Sequence, residues 1–338
     1  MNRGVAILGA TGLVGRTTLA LLEERDFPLE FVRLLASERE SGRTARFRGR
    51  ELPVEPVSEA GFQGVEIVLF AVANELSERW AGAARAAGAH VVDLSSAFRY
   101  RPDVPLVVPE VNGALLDARP ALVANPNCSA IGNVMAKKPL ADRARLTRLV
   151  ASTYQSVSGG GAEALAELER GVRAGLDGEP PARADAGPPY AYNVIPQIDR
   201  FEDNGYTREE MKIAWECRKI LGLPDLAVSA TAVRVPVRVG HAAAVHATFE
   251  RTVTPEEARE AWRAFPGVQV IDDPAAGQFP TPLRAAGRDA VLVGRARASL
   301  AAPQTLEFFV CSDNLRKGAA LNAVQISERL AARTPAAR

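Results

Sequence analysis

Apolar and polar positions follow one another along this chain in two rhythms. In the first ~125 residues, short apolar runs stand at Gly4 to Leu8, Phe31 to Ala36, Val65 to Phe70, His90 to Asp93 and Leu122 to Ala124. Between them, Arg16 to Arg25 and Ser77 to Ala87 carry apolar residues at helical spacing. Continuous apolar strands alternating with helices predict a parallel, doubly wound, Rossmann-like sheet. From Arg145 the pattern changes. Leu149 to Ser158 leads into Gly159-Gly-Gly161 and a helix predicted over Ala162 to Ala174, and Asp177 to Pro189, rich in Pro, Gly and Ala, reads as a loop. A helix is predicted over Glu209 to Leu221, and mostly β structure over Val228 to Val239. Ala243, Val245, Ala247 and Phe249 alternate with their neighbours as a half-buried strand should. Pro255 to Ala264, Val291 to Leu300 and Leu306 to Cys311 continue a mixed, antiparallel α+β layer. Asn314 then reads as the cap of a last helix, with Leu315, Ala319, Ala323, Ile326 and Leu330 on one face.

Composition narrows the partners. The 338 residues suffice for two domains with full cores. Lys and Arg number 41 against 40 Asp and Glu, a net charge of +1, with no basic stripe to track a phosphate backbone, so nucleic acid is not an expected partner. No stretch approaches ~18 uninterrupted apolar residues, and the apolar run near Met1 is too short for a signal peptide. Three scattered cysteines argue against a disulfide framework and for the cytoplasm, and the three histidines show no metal-ligand spacing.

Two stretches carry chemistry. Gly9-Ala-Thr-Gly-Leu-Val-Gly15 lies between a predicted strand and helix, where a glycine turn lets a dinucleotide pyrophosphate approach the helix N-terminus. Ser37-Glu-Arg39-Glu40-Ser41 follows the second strand, where the adenosine ribose sits in such a fold; Arg39 and the serines suit a 2′-phosphate, while Glu38 and Glu40 oppose it. The other stretch is Asn125-Pro-Asn-Cys128-Ser129. A strand turns there into a helix that Ser129 is placed to cap, which puts Cys128 near unpaired N–H groups and the positive end of the helix dipole. Such surroundings favour the thiolate, and the same N–H groups can hold an oxyanion formed at a carbonyl.

Over nearly its whole length the chain resembles the aspartate-β-semialdehyde dehydrogenase family. The resemblance rests on the glycine and cysteine motifs together with Ser95-Ser-Ala-Phe-Arg99, Val108-Pro-Glu-Val-Asn112, Thr153-Tyr-Gln155, Tyr206-Thr-Arg-Glu-Glu-Met-Lys212, Ala232-Val-Arg234-Val-Pro and Asp313-Asn-Leu-Arg-Lys-Gly-Ala-Ala320. It implies NADPH-dependent reduction of L-aspartyl-4-phosphate to the semialdehyde with release of phosphate, through a cysteine acyl-thioester and without a metal. That reaction serves synthesis of lysine, diaminopimelate, methionine and threonine. By resemblance Cys128 is the nucleophile, His241 the general acid–base, and Gln155 the residue orienting the reacting centre. Arg99 and Lys212 match groups around the phosphate, Arg234 and Glu209 match groups at the amino-acid end, and Asn127 joins the substrate set. Gly9, Thr11, Gly12, Leu13, Val14, Ser37, Arg39, Glu40, Ser158, Gly159 and Asn314 match cofactor positions. The family implies a discontinuous nucleotide domain, residues 1–128 and 315–338, and a catalytic domain, 129–314, that forms a homodimer or tetramer.

Three departures from the family pattern stand out: the Ala71 to Asn74 loop in place of a glycine-rich one, Leu94 in place of asparagine, and Glu40 in place of serine. The rival readings are N-acetyl-γ-glutamyl-phosphate reductase, whose substrate lacks a free amine for Glu209, and a non-catalytic dinucleotide-binding paralogue, which would be free to lose Cys128 or His241.

Overall fold

The computed structural model describes residues 4–185 and 187–332. These form two compact units, residues 4–127 with 319–332, and residues 128–318. The second unit thus starts at Cys128 and runs to Gly318, where the sequence reading set its limits at 129 and 314. Cys128 opens the helix that runs through that unit, and an ion pair of Arg316 with Asp289, 2.6 Å, keeps the segment after Asn314 with it.

The first unit contains β1 (Gly4–Leu8), α1 (Leu13–Glu24), β2 (Phe31–Ala36), β3 (Thr44–Phe47), β4 (Arg50–Pro56), β5 (Val65–Phe70), α2 (Asn74–Ala86), β6 (His90–Asp93), α3 (Pro109–Asn112) and β7 (Leu122–Ala124). Its sheet has the order β3-β4-β2-β1-β5-β6-β7, parallel except for β3 with β4. Ile7 lies opposite Leu34 on one side and Leu69 on the other, so β1 is buried throughout and reads as an unbroken apolar run. The chain winds from β1 toward β2 and later from β1's other side toward β7, which places the switch of direction beside the glycine turn.

The β3–β4 hairpin went unseen in the sequence because its strands are rich in Arg and Glu. Arg48 and Gly49 both have positive φ, +46° and +78°, the primed turn that suits a two-residue hairpin. Arg48 also donates to the carbonyl of Phe27 at 2.8 Å.

The second unit contains α4 (Cys128–Ala141), β8 (Leu146–Gln155), α5 (Gly161–Leu176), α6 (Arg208–Leu221), β9 (Ala227–Arg234), β10 (His241–Phe249), α7 (Pro255–Ala264), β11 (Val268–Val270), α8 (Pro282–Ala285), β12 (Val291–Ala298) and β13 (Thr305–Ser312). Its sheet has the order β11-β12-β13-β10-β8-β9, with β8–β9 and β11–β12 parallel and the other pairs antiparallel. Leu149, Ala151, Val245, Ala247, Leu306 and Phe308 point into the core. Val150, Ser152, Tyr154, Ala244, His246 and Phe309 alternate with them and remain partly or largely exposed, so one sheet face lacks full cover. Helix α4 is buried almost all round, and Trp262 of α7 donates to the carbonyl of Ala136 at 2.7 Å.

A wide helical turn spans Arg316–Ala320, and α9 (Leu321–Ala332) then belongs to the first unit. Leu321, Val324, Ile326 and Leu330 of α9 join Leu19, Leu22 and Leu34 in one core, each side chain contributing about 1.5–3 kcal/mol of burial. Two expected caps differ. Helix α4 already includes Cys128, so Ser129 stands in its first turn. At the other end the carboxylate of Asp313 accepts from the N–H groups of Leu315 and Arg316 at 2.8 and 2.9 Å, and Asn314 turns elsewhere.

Candidate active site

In the second unit Cys128 is half-buried at the first position of α4. A Cβ added to Gly318 would lie 3.1 Å from the Cβ of Cys128, so glycine lets the wide turn run close beside the sulfur-bearing residue. His241 opens β10 and is buried. Its Nδ1 accepts the main-chain N–H of Ser156 at 3.1 Å, with the Ser156 hydroxyl 3.0 Å away. An N–H aimed at Nδ1 forces the neutral ring to carry its proton on Nε2. Burial, and then the charge of Arg234, push the imidazole down to about 3, so the ring is neutral at physiological pH. Nε2 itself is buried and without a hydrogen-bond partner.

What keeps that edge open is Gly159. A Cβ there would meet Arg234 Nη1 at 3.0 Å and the His241 Cε1 and Nε2 atoms at 3.2 and 3.3 Å. Arg234, at the end of β9, is anchored by donating from Nη1 to the Ser156 carbonyl at 2.7 Å. Burial pulls its pKa down, and the nearby charges of Cys128 and Glu209 work the other way. Asn314 organises the same region: its Oδ1 accepts from Gly240 N–H at 2.9 Å and from the Ser156 hydroxyl at 3.0 Å, and its Nδ2 lies 3.0 Å from Ser158 Oγ.

Gln155, at the end of β8, takes a hydrogen bond from Thr153 Oγ1 at 3.1 Å and donates to Glu209 Oε1 at 2.9 Å. Lys212 Nζ lies 3.2 Å from Glu209 Oε2 and 2.8 Å from Asp199 Oδ2. Burial opposes the charge on Lys212, but Glu209 and Asp199 outweigh it and hold the ammonium above its ordinary pKa. A cavity of about 310 Å³ borders this row, lined by Arg183, Tyr190, Gln197, Asp199 and Arg234 among others. The structure thus brings together in one unit Cys128, Gln155, Ser158, Gly159, Glu209, Lys212, Arg234, His241 and Asn314. Sequence reasoning missed Ser156 and Asp199: the first acts through its main-chain N–H and carbonyl and through a hydroxyl whose partners, His241 and Asn314, are remote in sequence, and the second sits in an irregular loop with no motif around it.

In the first unit Gly9 has φ +88°, and a Cβ there would lie 2.3 Å from the carbonyl of Ala71; at Gly15 it would lie 2.1 Å from the Gly9 carbonyl. Gly12, by contrast, faces nothing nearer than 3.5 Å and caps α1 without a side-chain hydrogen bond or an acidic residue in the first turn. The open turn from Thr11 through Leu13 and Val14 therefore leaves helix N–H groups for an anion, which fits a dinucleotide pyrophosphate. The Ala71 to Asn74 loop packs on this turn, and Asn74 Oδ1 accepts from Ser96 N–H at 3.0 Å.

Near the second strand's end, Glu40 takes the Ser37 hydroxyl at 3.3 Å and pairs with Arg43 at 3.4 Å, while Arg39 is exposed. Arg99 is buried and donates to the carbonyl of Leu94 at 2.8 Å. Its charge falls on Asp93, whose pKa burial raises while the hydroxyls of Ser77 and Ser95 and Arg99 oppose the rise. Asn127 is buried at the end of the unit. Among the described residues no group of three His, Cys, Asp or Glu side chains could hold a metal ion, and no helix is long and apolar enough to cross a membrane.

Two family models match the chain: a semialdehyde dehydrogenase NAD binding domain over residues 4–118 and a semialdehyde dehydrogenase dimerisation domain over residues 138–317. The aspartate-semialdehyde dehydrogenase of Aquifex aeolicus is 46% identical over 334 residues, 98% of both chains. That of Legionella pneumophila is 46% identical over 330 residues, 96% of this chain and 95% of the other. A crystal structure of aspartate semialdehyde dehydrogenase II from Vibrio cholerae, complexed with ASA, superimposes with a TM-score of 0.95 at 43% identity, covering 98% of this chain and 99% of that one.

Proposed function

The chain belongs to the aspartate-semialdehyde dehydrogenase family, and from that premise we propose how its residues carry the reaction. The activity is that of a nicotinamide-dependent oxidoreductase: reduction of L-aspartyl-4-phosphate to aspartate 4-semialdehyde with release of phosphate. The Cys128 thiolate, favoured by the start of α4 and by Arg234, attacks the acyl carbon; a C–S bond forms, the carbonyl π pair moves to oxygen, and its return breaks the C–O bond and expels phosphate, which takes its proton from solvent. His241, neutral and protonated on Nε2, donates a hydrogen bond to that oxygen as charge develops on it. It thus holds a proton toward the substrate and does not begin as an acceptor at that nitrogen. A nicotinamide dinucleotide, when bound, supplies the hydride that reduces the thioester carbonyl. The resulting oxyanion lies in reach of the same Nε2–H, and its collapse releases the aldehyde and the Cys128 thiolate.

Arg234 pairs with the substrate carboxylate through its planar guanidinium, and Glu209, steadied by Gln155, takes the α-ammonium. An N-acylated substrate offers that buried carboxylate no ammonium to pair with, which argues for aspartyl over N-acetylglutamyl phosphate. Lys212 takes the phosphate. Arg39 and Ser37 suit a 2′-phosphate, so NADPH is the preferred cofactor, with Glu40 reducing the margin because it engages Ser37. The incompletely covered sheet face around Tyr154, Ala244 and Phe309 is the surface for a homodimer. Cysteines scattered along the chain, with no disulfide among the described residues, suit a reducing compartment, and the cytoplasm is the compartment this reading favours.

The observation that carries this reading is the unpartnered Nε2 of His241, kept open by Gly159 in the unit that presents Cys128 at a helix start. Phosphate-dependent NADP⁺ reduction with aspartate semialdehyde tests it. Cys128→Ser should keep the fold and lower turnover by several orders of magnitude; near-wild-type turnover would refute the role of Cys128.

A further inference from the structure

Lys212 is already paired in the free protein. Two carboxylates, Asp199 and Glu209, converge on its one ammonium at 2.8 and 3.2 Å. Glu209 is buried on the same helix, but Asp199 comes from the loop before α6. That loop bends to deliver it: Asp199 has φ +68°, a region side chains other than Asn and Asp rarely adopt. Its Oδ1 accepts the N–H of Arg200 at 2.9 Å, which leaves Oδ2 facing Lys212. Asp199 also lines the 310 Å³ cavity, as do Arg183 and Arg234. Of the Asp199–Lys212 pair it is the carboxylate that lines the cavity, so the lysine offers an anion a charge that a carboxylate already answers.

We propose that Asp199 is a specificity-determining residue of the phosphate subsite, acting through Lys212: its carboxylate stands on the ammonium in the free enzyme and gives way to the phosphate. The proposal rests on the reading of Lys212 as a phosphate ligand. A phosphate dianion brings more charge and more acceptor oxygens to the ammonium than a carboxylate does, so it can displace Asp199 where a weaker, singly charged anion cannot. The exchange sets phosphate affinity and costs the semialdehyde nothing, since the aldehyde carries no phosphate.

The test is the reverse reaction of the full-length enzyme, with initial rates measured against inorganic phosphate and, separately, against aspartate semialdehyde. Asp199→Asn removes the competing charge and tolerates the left-handed backbone; Asp199→Gly, which relieves that backbone, serves as a second variant if the first folds poorly. Either should lower KM for phosphate about three- to tenfold, the size of one partly screened charge contact, with KM for semialdehyde moving less than about twofold. Lys212→Gln should raise KM for phosphate at least about tenfold. A phosphate KM that is unchanged or raised in both Asp199 variants, while Lys212→Gln raises it, overturns the proposal and leaves the lysine's role standing. A phosphate KM unmoved by Lys212→Gln overturns that role and the proposal with it.

Discussion

The buried, neutral His241 makes stability depend on pH in a way that one substitution isolates. Its pKa is about 3 in the fold, against about 6.5 for a free imidazole. Between those values the unfolded chain binds a proton that the folded chain does not, so stability rises with pH; this contribution is fully present above about pH 6.5 and is lost as pH falls toward 3. Each pH unit well inside that window is worth about 1.4 kcal/mol, and the fall from pH 6.5 to 4.5 removes about 2 kcal/mol. His241→Gln cannot titrate, while the carboxylates it leaves behind titrate in both proteins and cancel in the difference. Urea unfolding at pH 4.5, 5.5, 6.5 and 7.5, followed by tryptophan emission, to which Trp215 and Trp262 of the second unit and Trp80 of the first contribute, reads the effect. The stability difference, wild type minus variant, should shrink by about 2 kcal/mol between pH 6.5 and 4.5. Parallel curves would show that the imidazole titrates alike in both states, and the assignment of a buried Nε2–H donor would fall with that.

Gly159→Ala places a methyl group 3.0 Å from Arg234 Nη1 and 3.2 Å from the His241 ring, and should cut kcat/KM at least about tenfold with the circular dichroism spectrum unchanged; wild-type kinetics would mean that edge is not used. Glu40→Ser frees the Ser37 hydroxyl and Arg43, and should lower KM for NADPH about threefold or more while NADH kinetics stay put. Equal shifts with both cofactors would show that Glu40 does not bear on the 2′-phosphate.

How much the sequence disclosed depended on whether a residue's role was written in its own neighbourhood. Strands such as β1, buried on both faces, announce themselves as apolar runs, and Cys128 stands in a turn whose chemistry is local. The β3–β4 hairpin did not, because Thr44 to Pro56 is polar and its turn is Arg-Gly rather than Asn-Gly. Asn314 looked like a helix cap, yet Asp313 takes that task and Asn314 bonds instead to Gly240 and Ser156, remote in sequence. The tautomer of His241 is set by a main-chain N–H that no side-chain pattern encodes. Asp199 meets Lys212 only because an irregular loop takes a left-handed bend.

Helix α9 has a consequence for how the protein is born. Leu19, Leu22 and Leu34 share a core with Leu321, Val324 and Leu330, which leave the ribosome after residues 128–318. At ~5–20 residues per second that interval lasts roughly 10–40 s. Throughout it the nascent sheet of the first unit has an apolar face without its final cover. The second unit, continuous in sequence, is free to fold during the wait. Maturation of the glycine turn's supporting core is therefore a late event of synthesis, and the exposed interval is when a holdase chaperone would find its target.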